Sequence, residues 1–149
     1  MAKGKALRQA IIEAAIVELG RIRAPEFRTN IGQRVFYGRA KVDPNTEIPC
    51  IVVAPAVETA QKEAYRLISR EMELRIDAVA AATVDVEAMI ADIFEAMMGG
   101  EATIKQAGGL GLRYSGCEIT DYPDVGDRII GVSLRFSVIY RTQVTRADI

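Results

Sequence analysis

Four acidic residues near the C-terminal end of the chain have the types and spacing that could hold a cation. Glu118, Asp121, Asp124 and Asp127 lie close together, and hard cations such as Ca²⁺ bind carboxylate oxygens. An EF-hand loop, however, places its ligands at alternating positions and ends on a distal Glu. Aspartate is also common in turns, and residues 123–126 (Pro-Asp-Val-Gly) are typical of a turn. The sequence therefore predicts a turn here and no metal site.

A glycine-rich segment at residues 108–114 resembles part of a dinucleotide-binding fingerprint. Its sequence, Gly-Gly-Leu-Gly-Leu-Arg-Tyr, has Tyr114 where G-x-G-x-x-G needs its third glycine. The segment also follows a predicted helix and precedes a predicted strand, which is the reverse of the order in a nucleotide-binding unit. A loop without a nucleotide cofactor is the better interpretation.

The chain of 149 residues contains no histidine. It therefore lacks the commonest general base, the usual partner of a nucleophilic Ser or Cys, and the commonest nitrogen ligand of zinc. Cys50 lies in an apolar run, and Cys117 stands beside Glu118, whose charge disfavours a thiolate. These observations predict a protein that is not an enzyme and needs no cofactor, in a reducing, cytoplasmic setting.

The hydrophobic pattern predicts two amphipathic helices and five strands. Apolar residues recur every three or four positions in the two helical segments. Alternating or continuous apolar runs rich in β-branched residues mark the strands. The predicted helices are residues 5–22 and 85–98, and the strands are residues 35–42, 48–54, 68–78, 112–121 and 132–140. Residues 23–34, 43–47 and 99–111 are predicted to be irregular, and residues 56–64 a polar connector with at most one helical turn.

This order, α-β-β-β-α-β-β, predicts the fold class. Short links between successive strands favour a mainly antiparallel sheet of about five strands. Two helices that are apolar on one side would cover one face of that sheet. We therefore expect an α+β two-layer sandwich that forms a single domain over residues 1–149.

Charge is distributed unevenly along the chain. Residues 1–41 carry nine Lys or Arg against three Asp or Glu, a net charge of +6, and residues 42–149 carry ten against seventeen, a net charge of −7. A domain with a basic part and an acidic part can bind its own copies head to tail. Simple solvation of the basic side chains is the alternative interpretation.

Several segments of the chain resemble a known family in their order and hydrophobicity. They are residues 7–12 (LRQAII), 35–39 (VFYGR), 48–53 (IPCIVV), 72–76 (MELRI), the helix 85–98 and the closing strand 132–142 (VSLRFSVIYRT). Over about residues 5–142 the chain resembles the tail terminator, or tail completion, proteins of long-tailed bacteriophages, which include minor tail protein U of lambda-like phages.

The resemblance implies a structural protein of phage morphogenesis with no catalytic residues. Such proteins form a hexameric ring on the finished tail tube, stop its polymerisation and offer a surface for joining the head. The implied partners are further copies of this chain, the tail tube protein and the head–tail connector protein, with no membrane and no sequence-specific nucleic acid. The implied location is the host cytoplasm during assembly and then the head-proximal end of the virion tail.

We expect the irregular segments to carry the contacts of such a ring, because loops commonly carry binding residues. The predicted inter-subunit or tube contacts are Arg21, Arg23, Arg28, Arg34 and Arg39.

Three alternatives remain open at this point. A neck or head-completion protein is similar in size. A non-viral α+β module is another, which would bind nucleic acid or a ligand and could use Phe36 and Tyr37 as a stacking surface for single strands. The third is an enzyme that uses a metal in the acidic cluster around Asp121–Asp127.

Overall fold

The part of the chain that the structure describes contains five strands and three α-helices in an α+β arrangement. The sequence predicts this fold class and the number of strands, but two helices. The structure is a computed structural model that describes residues 6–38, 46–64, 67–121 and 129–143. In chain order the elements are α1 (Leu7–Leu19), a 3₁₀ helix (Ile31–Gln33), β1 (Val35–Tyr37), β2 (Cys50–Ala64), β3 (Leu67–Ala81), α2 (Val86–Gly99), α3 (Glu101–Gln106), β4 (Gly111–Asp121) and β5 (Ile129–Gln143).

The strands form one sheet in the order β1-β2-β3-β5-β4. The short strand β1 runs parallel to β2, and every other neighbouring pair is antiparallel. The pairing of β3 with β5 runs without interruption from Leu67↔Gln143 to Ala81↔Ile129. The sheet is therefore mainly antiparallel, and its centre is a fifteen-residue ladder.

One face of the sheet carries the core. On β3, the alternating residues Met72, Leu74, Ile76 and Ala78 are fully buried, as the period of two along a strand requires. They pack in one cluster with apolar residues of β5 and of the three α-helices. On the opposite face, the described residues form a small buried apolar cluster around Cys50, Val52 and Val79 at one end. Helices thus cover one face of the sheet and leave the other open.

The predicted polar connector at residues 56–64 is wrong, because these residues form the second half of β2. They pair with β3 from Val57↔Glu73 to Ala64↔Leu67. Among the residues of β2 whose burial is described, Ala54 is the last buried apolar one, and Val57, Thr59 and Ala60 beyond it are exposed. The sequence there lacks the alternation that identifies a half-buried strand.

The prediction that residues 99–111 form one irregular loop is also wrong in part. Helix α2 ends at Gly99, as the glycine pair predicts, but α3 begins directly afterwards at Glu101. At Gly100 the buried Glu18 side chain packs so closely that an added Cβ would lie 2.4 Å from its Cγ. The short helix has a single buried apolar residue, Ile104, which is too little to give a helical period in the sequence.

Some predicted features lie outside the described residues. Strand β1 ends at Tyr37, whereas the predicted strand continues to residue 42, and residues 39–45 are not described. The predicted turn at residues 123–126 falls in the undescribed segment 122–128. None of the helices in the described part of the chain is long and apolar enough to cross a membrane.

Candidate interaction surfaces

The segment that links α1 to the sheet is held by one buried carboxylate. We call residues 21–34 the arm. Asp92 of α2 is fully buried, and its Oδ2 accepts hydrogen bonds from the backbone N and the Oγ1 of Thr29, both at 2.7 Å. Its Oδ1 accepts from the backbone N and the Nη1 of Arg28, both at 3.1 Å. Because a buried charge must be compensated by partners, Asp92 fixes the arm against α2.

The sequence contains a signal for this contact, a charged residue within an apolar stripe, which is not among the predicted site residues. Asp92 stands in the apolar stripe of α2 beside Met89, Ile93 and Ala96, all of which are buried. A charged residue at a core position of a helix needs a partner from elsewhere in the chain. The partner is the arm, 63 and 64 residues away in sequence.

The predicted contact arginines lie in different environments. Arg28 is exposed and makes intramolecular ion pairs with Asp92 at 3.1 Å and Glu95 at 2.8 Å. The hydrogen bond with Glu95, followed by that with Asp92, raises the pKa of the Arg28 guanidinium above its usual value. Arg21 lies 3.6 Å from the buried carboxylate of Glu18. These two arginines therefore have acidic partners within the molecule, and those of Arg28 hold the arm against α2.

Arg23 and Arg34 differ from this pair. Arg23 is exposed and Arg34 is half-buried, and neither has an ion pair within the described part of the chain. Arg39 lies outside the described residues. A contact of any of the five arginines with another subunit stays a prediction.

A second polar cluster lies at the distal end of the core, where β2, β3 and β5 meet. Tyr140 is fully buried, and its hydroxyl donates to Oε1 of Glu58. Arg70 donates from Nη1 to the other oxygen of Glu58, at 2.9 Å, and from Nε to the hydroxyl of Thr142, at 2.9 Å. This cluster joins three strands by side-chain hydrogen bonds. It lies beyond Ala54, the last buried apolar residue described in β2.

The cluster shifts the pKa values of its two acids in opposite directions. Burial is the largest single effect on Glu58 and raises its pKa, but the hydrogen bonds from Tyr140 and Arg70, together with the nearby positive charges, outweigh it. The pKa of Glu58 is therefore lower than usual. Burial, followed by the hydrogen bond with Glu58, raises the pKa of Tyr140. The stable arrangement is an ionised Glu58 and a neutral Tyr140.

The open face of the sheet carries charges of both signs. Arg75 and Arg135 are partners in the β3–β5 register. Arg75 lies 3.3 Å from Asp77, and Arg113 lies 2.8 Å from Glu71. In all, the register places four basic residues (Arg75, Arg113, Arg135, Arg141) and four acidic residues (Glu71, Glu73, Asp77, Glu118) on this face. Among the described residues the face thus lacks the positive excess that phosphate binding requires.

Little of the predicted acidic cluster can be placed. Glu118 is exposed on β4, and residues 122–128 lie outside the described part. Among the residues that the structure describes, no three side chains of His, Cys, Asp or Glu come together as metal ligands. Cys50 is buried and Cys117 is exposed, and both are free thiols.

Comparison with solved structures gives distant structural neighbours. No protein-family model matches the chain, and no curated protein matches it. A solved structure, the virion of a native gene transfer agent (GTA) particle, contains a chain similar to this one over 92% of each, with a TM-score of 0.48 and 13% sequence identity. This likeness assigns no role to any residue of the present chain.

Removing the charge of Asp92 is expected to release the arm. In Asp92→Asn an NH₂ group replaces one of the two acceptor oxygens, so the donors of either Arg28 or Thr29 that face it lose their acceptor. We expect a loss of about 2–4 kcal/mol in the free energy of unfolding, measured by urea denaturation. Trypsin should also cleave the folded variant faster at Arg23 and Arg28.

The matched control is Glu95→Gln, which removes the other partner of Arg28 from an exposed position. Exposed ion pairs contribute little, so the loss should stay below about 1 kcal/mol. Equal losses in both variants would show that Asp92 has no special role in holding the arm.

Stability should depend on pH through Glu58. Because its pKa is lowered in the folded state, Glu58 stabilises the fold above its unfolded pKa of about 4.3, and this contribution disappears as the pH falls through the folded value. At neutral pH we expect Glu58→Gln to lower the free energy of unfolding by about 1–3 kcal/mol. The difference in this free energy between the variant and the unmodified chain should shrink as the pH falls below about 4.

Glu71→Gln serves as the control for this titration, since Glu71 pairs with Arg113 on the open surface. Its cost should be below about 1 kcal/mol. A Glu58→Gln cost that remained constant down to low pH would contradict the assigned ionisation of Glu58.

Proposed function

We propose that this chain is a structural protein of tailed-phage assembly that caps the completed tail tube. In this role it forms a ring, six copies in the related proteins, stops polymerisation of the tube and provides the surface that joins tail to head. It works without catalysis and without a cofactor. Its partners are further copies of itself, the tail tube protein and the head–tail connector protein.

The observation that carries this proposal is the pairing of two segments on which the resemblance rests. Residues 72–76 and the closing strand at 132–142 lie side by side at the centre of the sheet. Met72 pairs with Val138, Leu74 with Phe136 and Ile76 with Leu134. The resemblance is one of order and hydrophobicity along the chain, and this register supports it because residues far apart in sequence meet with their apolar sides on one face.

The open sheet face does not favour the nucleic-acid module. Its balanced charges lack the positive excess that binding of a polyphosphate requires. The expected stacking pair also points in two directions, since Phe36 packs against the small cluster on the open face, whereas Tyr37 pairs with Val53, whose side chain lies in the main core.

The proposal is tested by electron microscopy of particles made from a phage genome that lacks this gene. Overlong or uncapped tails beside heads without tails are expected, because nothing would stop the tube from polymerising. Tails of normal length that fail to join heads would contradict tail capping and identify a neck protein. Intact infectious particles would contradict any role in assembly.

Reversing charge on the arm should prevent capping without unfolding the monomer. The double variant Arg23→Glu/Arg34→Glu changes two arginines that lack ion pairs in the described structure, so the fold keeps its internal contacts. We expect complementation of the gene deletion to fail, with tails as long as those of the deletion itself.

The control for the arm variant is Arg75→Glu/Arg135→Glu, which reverses the same charge on the open sheet face. Circular dichroism verifies that both variants are folded. The arm assignment is wrong if the arm variant restores normal tails.

A further inference from the structure

Strand β4 forms an edge of the sheet, and no strand in the described part of the chain pairs with its outer side. Its inner side pairs with β5 from Gly111↔Ile139 to Asp121↔Ile130. The backbone N–H and C=O groups that point away from β5 can therefore accept a further strand. The group that matches such an edge is another extended backbone, and side chains decide which one.

A β-bulge in the middle of β4 places two opposite charges on one face. The register with β5 shifts between Tyr114 and Gly116, so Ser115 is an additional residue. Arg113 and Glu118 are five positions apart and would point to opposite faces of a regular strand. Because of the bulge, both lie on the open face of the sheet. Arg113 is two residues before Ser115, and Glu118 is two residues after Gly116.

Both charges can reach a molecule beyond the edge. The side chain of Arg113 is 72% exposed, and its hydrogen bond with Glu71 uses Nη2 alone. A guanidinium has five N–H donors, so Arg113 keeps donors for another carboxylate. Glu118 is exposed and has no ion pair within the part of the chain that the structure describes.

The helix side of the same edge is apolar in both halves of β4. Before the bulge, Leu112 and Tyr114 pair with core residues of β5. After the bulge, Cys117 and Ile119 do the same. Leu112 is buried, whereas Ile119 is 53% exposed. The second half of the strand therefore presents an apolar side chain that the molecule itself does not cover.

We infer that β4 pairs with β4 of a second copy, antiparallel and about a twofold axis between Ser115 and Gly116. This register places Arg113 of each copy directly opposite Glu118 of the other. The contact thus contains two ion pairs, and opposite charges facing each other across neighbouring strands stabilise their pairing. The sheets of the two copies join into one continuous sheet.

The apolar residues of the edge match in the same register. Leu112 lies opposite Ile119 of the other copy, and Tyr114 lies opposite Cys117. Each exposed Ile119 is thereby covered by its neighbour across the edge. A shift of one residue would place side chains of opposite faces beside each other. A shift of two residues would leave Arg113 and Glu118 without their partners.

A second copy is the occupant that these residues specify, because the edge is complementary to itself about the bulge. Such a contact is isologous, whereas a ring around a tube repeats one heterologous contact. The paired state is therefore a separate association of the free chain. The inference goes beyond the proposed function and does not depend on it.

The pairing is tested by the dissociation constant of the dimer, measured for the purified full chain by sedimentation over a range of concentrations. Arg113→Glu places two carboxylates opposite each other at both ends of the contact, and Glu118→Arg places two guanidinium groups there. Each variant alone should raise the dissociation constant about tenfold or more, because two attractive pairs become repulsive. Circular dichroism verifies that the variants are folded.

An equimolar mixture of the two variants should dimerise as tightly as the unmodified chain, because one copy then carries only acidic residues at the two positions and the other only basic ones. The matched control is Glu71→Gln, which removes the intramolecular partner of Arg113 and keeps both charges of the edge. Its dissociation constant should not rise.

Three results would overturn the inference. They are an unmodified chain that forms no dimer, single variants that dimerise as tightly as the unmodified chain, and a mixture that dimerises no more tightly than the single variants.

The outcome can be separated from that of the proposed function. A chain that does not pair through β4 but restores normal tail length would overturn the pairing and leave tail capping intact. A chain that pairs as inferred, in a phage whose tails are normal without it, would contradict tail capping and leave the pairing intact.

Discussion

The uninterrupted pairing of β3 with β5 is the constraint on which the rest of the molecule depends. In a strand, successive side chains point to opposite faces, so a shift of one residue would exchange the buried and the exposed sets. The register that places Leu74 beside Phe136 puts the residues that both strands give to the main core under the helices. The same register leaves Arg75 beside Arg135 on the open face. This one ladder therefore determines which face of the sheet carries the main core.

The strands are longer than the helices, and two polar clusters make the contacts that the apolar core does not provide. The fifteen-residue strands extend about 50 Å, whereas α2, with fourteen residues, extends about 21 Å. Where the apolar core ends, Glu58, Arg70 and Tyr140 join three strands by hydrogen bonds. Where α1 leaves the helix layer, Asp92 binds the arm. The arm and the two edges of the sheet are thereby held in fixed positions around one core, which is what a subunit of a regular assembly requires.

The fold class and most elements could be predicted from the sequence because they depend on local periodicity. The stripe of Met89, Ile93 and Met97 identifies α2, and the alternation from Met72 to Ala78 identifies β3. The sequence did not predict the distal half of β2 or helix α3. The distal half of β2 lacks the apolar alternation of a half-buried strand, and α3 has one buried apolar residue. The site was harder to predict. The sequence shows the positive charge of the arginine-rich arm, but the residue that binds the arm, Asp92, lies more than sixty residues away. Contacts of that kind follow from the packing of α1, α2 and the sheet, which no local pattern specifies.

We propose that copies of this chain form a ring at the head-proximal end of a phage tail. Cryo-electron microscopy of intact particles, with the chain fitted into the density, tests this proposal. We expect one ring of six copies between the last ring of the tube and the head connector, with the arm of each copy at a subunit boundary. Density for the chain only within the portal or head, or its absence from tails that are correctly terminated, would show that the chain does not form this ring.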